Sequence, residues 1–472
     1  MAFGDVIKGA ASVLPEIPKP TKKPSLTEKF IWTSVALVVF LVMSQIPLFG
    51  VVTAGGPAGT SILRTIFAST QGTLMQLGIG PIVTAGLISQ LLVGSEIVRL
   101  DFGNTEDRSI FSAFTKVFTV AFIIGESVLY TLSGYLRGPN NAPLSTETAI
   151  IVMVQLIMAS MVVFMLDQMI QRGWGLGSGI SLFIMAGVAQ NLMLDLFSPI
   201  PSPSYFGFLP YTVNATVTNT LPTVLYRGQL PSLVGLVATV GIILFIIYLE
   251  GVRIEVPITS QKYKGFTGVY PIKLLYVSNI PVILVGALLA NFQFFSLLIA
   301  SRFASANNWL VNMFATYGTQ NGQQVLTGGV LYYLTTPLDL GQAAADPLRT
   351  LTSIGFMVLF SVLFARLWVE LGGMSPEKAA KSLLDAQVHV PGFRSTTASL
   401  GMVLGRYIPA VTIIGGVLVG LIAGVSSALG VFGGSGIGLL LMVDIILQYY
   451  QTLVKEQVED LMPRLGGLIG GM

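Results

Sequence analysis

With 53% hydrophobic and only 10% charged residues over 472 positions, and a mean hydropathy of +0.78, the chain has too little charge to cover a water-exposed globule of its size. It has no cysteine and a single histidine, His389, which excludes disulfides, thiol chemistry and a multi-histidine metal site. The net charge of +3 is small and informs only once it is mapped by side.

Residues 1–29 have no apolar core and carry Lys8, Lys19, Lys22, Lys23 and Lys29, so no cleavable signal is expected. Residues 4–14 predict a surface helix, broken by Pro15-Glu-Ile-Pro-Lys-Pro20. A spanning helix needs roughly 20 mainly apolar residues. Ten such stretches follow, at about 30–50, 74–95, 110–135, 147–168, 177–197, 231–252, 270–290, 347–368, 404–424 and 435–455. Between the first two lies a segment too brief to span: Gly55-Gly-Pro57, then Thr60, Ser61, Ile62, Leu63, Arg64, Thr65, Ile66 and Phe67, then Gly78-Ile-Gly-Pro81. Lipid cannot satisfy the terminal peptide groups of a half-length helix, so it must lie against protein or a water-filled cavity. That points to a conduit rather than an anchor.

Orientation follows from the basic residues. With the N-terminus in the cytosol, only Arg64, Arg137, Arg227, Arg302 and Arg349 of the 25 Lys and Arg fall outside, so both ends are expected inside. The inner loops 253–269 and 369–403 carry Arg253, Lys262, Lys264, Lys378, Lys381 and Arg394. Composition alone is met by ordinary retention of positive charge; the sharper alternative is docking of a polyanion. The outer segments 198–230 and 291–346 are rich in Asn, Thr, Pro and Tyr, and Asn214-Ala-Thr216 is a weak glycosylation sequon.

The chain echoes itself. Gly177-Ser-Gly-Ile180 opens the fifth stretch and Gly434-Ser-Gly-Ile437 the tenth. Each starts the last helix of a five-helix half, and the halves enter from opposite sides, as in an inverted repeat. The expected fold is an all-α membrane protein of ten transmembrane helices in two inverted five-helix halves with a re-entrant half-helix. Its parts are 1–29, a cytosolic segment; 30–200, the N-terminal half; 201–230, an external hinge connection; 231–455, the C-terminal half; and 456–472, a cytosolic tail.

No P-loop, paired metal-ligand spacing or nucleophile–base arrangement occurs, so neither an enzyme site nor a metal or cofactor is expected. Glu126 and Asp444 lie mid-stretch and Asp167 near an inner end; such groups mark proton coupling, or else face a wet interior and pair with hydroxyls and amides. The apolar pairs Ile79/Val83 and Leu176/Ile180 read as core by periodicity.

Longer motifs carry a resemblance. Gly78-Ile-Gly-Pro-Ile-Val-Thr-Ala-Gly86, Gly175-Leu-Gly-Ser-Gly-Ile-Ser-Leu-Phe183 and Tyr270-Pro-Ile-Lys-Leu-Leu-Tyr-Val-Ser-Asn-Ile-Pro281 closely resemble the SecY family, the large subunit of the Sec translocon. So do Tyr332-Tyr-Leu-Thr-Thr-Pro337, Pro391-Gly-Phe-Arg394, Arg406-Tyr-Ile-Pro409 and Val454-Lys-Glu-Gln457, in consistent order from about residue 25 to 460 and closest to the archaeal and eukaryotic branch.

The resemblance implies a clamshell with an hourglass pore whose waist is an apolar ring: Ile79, Val83, Leu176, Ile180, Ile283 and Leu441. A greasy ring solvates passing side chains poorly but equally, and gates ions by dewetting. The segment Thr60–Phe67 would be the plug, and Thr84, Glu126 and Asn291 would occupy polar positions of a lateral gate. Family members more often carry an amide where Glu126 stands. The resemblance turns Arg253, Lys262, Lys264, Lys378, Lys381 and Arg394 into ribosome-binding loops. Implied partners are a small single-span clamp subunit and a second small subunit in a heterotrimer, the ribosome with its nascent chain, signal peptides, unfolded polypeptides and lipid. The rival is an inverted-repeat transporter of small solutes, which would need polar groups converging on broken helices. A scaffold without a pore would have no use for a plug.

Overall fold

The computed structural model describes residues 2–469 apart from 23, 52–66, 96, 99, 101–103, 133–135, 137, 140–141, 200, 203, 206, 229, 261–266, 278–279, 304–308, 321–322, 386–387 and 390–395. Among these, nine helices are long and apolar enough to cross a membrane, and one apolar helix is shorter. The N-terminal part runs α1 Ala2–Val13, α2 Leu26–Met43, α3 Gly80–Gly94, α4 Thr105–Leu132, α5 Thr146–Met169 and α6 Gly179–Phe197. After a strand pair, β1 Pro201–Ser202 and β2 Ser204–Tyr205, come α7 Phe208–Val217 and α8 Leu233–Gly251. Then follow β3 Arg253–Ser260, β4 Thr267–Lys273, α9 Ile280–Phe303, α10 Trp309–Phe314 and a hairpin, β5 Thr316–Gln320 and β6 Gln323–Gly328. The chain closes with α11 Val330–Leu334, α12 Leu340–Ala345, α13 Pro347–Leu371, α14 Pro376–Asp385, β7 Val388–His389, α15 Thr397–Ala428 and α16 Gly436–Ile469.

Two predicted spans are corrected. The second is not 74–95: the helix starts only at Gly80 with Pro81 in its first turn, after Gly78 at φ 55°. Residues 67–79 instead form a tight loop, in which Thr70 N–H donates to Met75 O and Gln76 Oε1 accepts from Gly72. At 15 residues α3 rises about 22 Å, less than a hydrocarbon core. The seventh is not 270–290 but α9, because residues 267–273 pair with β3, Tyr270 opposite Val256 and Ile272 opposite Ile254. Ile272 and Val256 point into the core below, and this period-2 burial wins over helix. The outer segment 291–346 is largely regular structure: α9 continues to Phe303, and three short helices and a hairpin follow.

The Ser-Gly-Ile echo has a structural counterpart. Both α6 and α16 begin at the Gly of that motif, and each N-terminus is capped by a side chain from the helix before it. Asp167 Oδ1 of α5 accepts from Ile180 N–H at 2.9 Å, and Ser427 Oγ near the end of α15 accepts from Gly436 N–H at 3.0 Å. Only glycine fits: a Cβ on Gly179 would lie 2.6 Å from Asp167 Oδ1, and one on Gly436 1.8 Å from Ser426 Oγ. The two helices run antiparallel, Tyr449 Oη donating to Ser178 O and Gly433 N–H to Asp195 Oδ2.

The predicted surface helix is present as α1, held on α4 by buried Ile7 and Ala11. Lys116 of α4 donates to Ala11 O and Leu14 O, and pairs with Glu16. Arg172, in the π-turn 170–174 that ends α5, donates to Ile17 O and pairs with Glu16.

Candidate functional site

The centre of the molecule is a large apolar cluster into which α2, α3, α5, α6, α9 and α16 all project. Of the expected ring, Ile79, Val83 and Leu441 are buried members of this cluster, and the half-buried Ile180 and Ile283 pack against it. Leu176 is buried in the turn before α6, its N–H donating to Thr33 Oγ1 of α2, and does not join this cluster. Ile79 is the N-cap of α3, so the helix start itself sets it in place.

Of the expected plug, Thr60 to Ile66 lie outside the described residues; Phe67 is described and belongs to the same cluster as Ile79. Phe67 O accepts from Ile79 N–H at 2.8 Å. Gly78 and Gly80 admit this approach: a Cβ on Gly78 would sit 2.0 Å from Phe67 O, and one on Gly80 3.0 Å from the Phe67 ring. The glycines of Gly78-Ile-Gly80 thus make the seat of Phe67. Ala68 continues the contact, within 3.2 Å of where a Cβ on Gly187 of α6 would stand.

α3 packs on α4, α9 packs on α13, and α3 meets both α9 and α13 along a seam between the two pairs. Thr84 Oγ1 donates to Asn291 Oδ1 at 3.1 Å, and Asn291 Nδ2 to Ala287 O. Glu126 of α4 is 4% exposed, and its Oε1 is buried without a hydrogen-bond partner among the described residues. Towards the other end of α3, Leu87, Gln90 and Leu91 face Leu284, Phe364 and Trp368 across a narrow apolar gap, where Gln90 Oε1 is also unpartnered. Asp444 keeps a hydrogen bond from Gln448, and Asp167 is taken up by Gln171 and the α6 cap, so the buried carboxylates do not converge on one ion site.

The two basic loops meet. Strands β4, β3 and β7 form one sheet in that order, with Thr259 opposite His389 and Ser260 opposite Val388. Its apolar side, with α14, covers the ends of α13 and α15 through Val256, Ile272, Ala380, Leu400 and Leu404. Arg253, Lys378 and Lys381 are exposed; Lys262, Lys264 and Arg394 lie outside the described residues. Tyr276 braces the platform, donating to Met374 O at 2.9 Å, and burial followed by the neighbouring Tyr270 pushes its phenol up to about 12. It therefore stays a neutral donor throughout the physiological range. Sequence reading missed this pairing of distant loops, for which β7 offers only two residues of signal, and missed the caps by Asp167 and Ser427.

A central apolar cluster, a loop seated on it and a seam with a buried Thr84–Asn291 hydrogen bond match one architecture. The SecY family model matches residues 73–450, and a model of the plug domain of Sec61p matches residues 38–72. The chain belongs to the SecY family. The Sec61 subunit alpha protein transport protein of Dictyostelium discoideum is 38% identical over 482 residues, covering 100% of this chain and 99% of that protein. A solved protein-conducting channel superposes with a TM-score of 0.79 at 33% identity, over 96% of this chain and 98% of that one. Sec61 in the canine ribosome–channel complex from the endoplasmic reticulum gives 0.77 at 33% identity, with the same coverage. This SecY-family member is thus an integral, multi-pass membrane protein and a protein-translocation channel rather than a small-solute transporter.

Proposed function

We propose that the chain forms the pore through which unfolded secretory polypeptides cross the membrane, and that apolar segments leave it sideways into lipid. The observation that carries this reading is the gathering of Ile79, Val83, Ile180, Ile283 and Leu441 from four helices around the seat of Phe67. Ile79, Val83, Ile180, Ile283 and Leu441 form the constriction, with Leu176 in the turn just before Ile180, and residues 60–67 form the plug. Thr84, Glu126 and Asn291 line the exit. A segment leaves when it is apolar enough to be more stable in lipid than in the wet pore. The helices divide into two inverted halves, 30–200 and 231–455, joined by the outer connection 201–230. Both termini face the cytosol, as the basic residues require.

The exposed Arg253, Lys378 and Lys381 on the sheet platform, with Lys262, Lys264 and Arg394 beside them in sequence, suit a ribosome as driver. The Sec61 relative was solved in a ribosome–channel complex, which supports that assignment. A single-span clamp subunit and a second small subunit complete a heterotrimer.

The test is crosslinking of a stalled, ribosome-bound secretory chain to the variants Ile79→Cys, Ile180→Cys and Ile283→Cys. The chain has no cysteine of its own, so the background is silent. Crosslinks are expected at each position, and their absence from all three contradicts the pore.

A further inference from the structure

The seam between α3–α4 and α9–α13 has a level that its polar residues do not account for. One turn beyond Glu126 on the same face of α4 stands Tyr130, and one turn beyond Asn291 on α9 stands Phe294. Their rings stack across the seam, with centroids 4.6 Å apart and planes 30° apart. Both are buried, Tyr130 at 6% and Phe294 at 2% exposure, in an apolar cluster of their own with Leu77, Leu298 and Leu156. α4 and α9 therefore meet through this aromatic pair, while the hydrogen bond at the polar level joins α3 to α9.

The opposite face of α9 is braced. Phe292 and Ser296 each lie two residues, about 200° of helix, away from Phe294. Tyr317 of the β5–β6 hairpin bonds Ser296 Oγ at 2.6 Å and donates to Gln293 O, and Phe314 of α10 sets its ring edge-on to Phe292. Hairpin and α10 thus back the outer part of α9 and hold Phe294 against Tyr130.

We infer that Tyr130 and Phe294 form the outer latch of the lateral gate and set how apolar a segment must be to open it. Any parting of α4 from α9 unstacks the pair and wets two buried rings. A segment entering the seam must recover that loss from its own transfer into lipid. The inference rests on the reading of this seam as the exit to lipid.

The experiment uses the complete channel in its native complex, with nascent chains carrying test segments graded in Leu and Ala content. Each segment is scored for insertion against full translocation. Tyr130→Ala and Phe294→Ala each raise the inserted-to-translocated ratio of marginal segments by about two- to twelvefold, the range an aromatic pair supports. Strongly apolar segments and secretory chains without such a segment are unaffected. Tyr130→Phe keeps the stack and behaves as the unsubstituted channel. Ratios unchanged in both alanine variants overturn the inference, as does a Tyr130→Phe effect equal to that of alanine.

Should the alanine variants not fold, the double variant Tyr130→Cys/Phe294→Cys is joined by a short thiol-specific bridge. Bridging is expected to block insertion and leave translocation intact; free insertion through the bridged channel overturns the latch. If the unsubstituted channel inserts none of the segments, the reading of the seam as an exit fails instead.

Discussion

Glu126 is the residue at which local chemistry and fold disagree most. A carboxyl oxygen, Oε1, buried without a hydrogen-bond partner among the described residues penalises the packed seam, whichever protonation state the group adopts. Parting of the helices lets it hydrate, so it biases the gate towards opening. Glu126→Leu is expected to stabilise the closed seam by about 1–3 kcal/mol, read as fewer spontaneous openings in planar bilayers and poorer insertion of marginal segments. An equal or higher opening frequency would remove Glu126 from the gate. Gly78 works in the other direction. Its φ of 55° and the 2.0 Å approach of Phe67 O leave no room for a methyl group. Gly78→Ala unseats Phe67 and raises resting ion conductance; conductance at the unsubstituted level would show that this loop does not seal the pore.

At the level of elements, the constriction depends on where helices start. Ile79 caps α3, Ile180 lies one residue into α6, and both starts are set by glycine and proline rather than by the apolar residues themselves. Replacing Ile79 and Ile180 together with Gly widens the waist without moving the helices, and increased leak of small ions through planar bilayers is the expected result. The capped starts make a separate prediction. Gly436→Ala drives a Cβ into Ser426 and the Ala423 carbonyl, costing about 1–3 kcal/mol of overpacking, seen as a lower unfolding temperature in detergent. Motif resemblance marked these starts, and the glycines in it are legible for a physical reason: close approach leaves no alternative residue. The boundaries of the second and seventh spans were not legible. Hydropathy scores Leu74–Leu77 and Tyr270–Leu275 as apolar whether they enter a helix, a loop or a strand.

For the whole molecule, the two ends of the chain are bolted together. Lys29 at the start of α2 donates to Glu456 of α16 at 2.5 Å, and Lys29 is nearly buried. The bridge joins the first spanning helix to the last. Lys29→Met is expected to lower stability by about 1–3 kcal/mol, measured by thermal unfolding of the detergent-solubilised complex. If Lys29→Met unfolds at the same temperature as the unsubstituted protein, the bridge carries no stabilising role.

Composition, basic-residue asymmetry and glycine-rich motifs by themselves determined the class, the number of apolar stretches, the orientation to be expected and the family. These are properties of single segments in lipid or water, and each segment carries its own signal. Only the tertiary structure decided what the segments do to one another. It seated Phe67 on Gly78 and Gly80, joined the basic loops through a sheet, left Glu126 Oε1 without a partner among the described residues and stacked Tyr130 on Phe294. Those outcomes depend on pairs of residues far apart in sequence whose approach is set by packing. The half-length segment after α2 required protein or a water-filled cavity to lie against; the side chains that meet its last residue, Phe67, were decided by the helices packed around it.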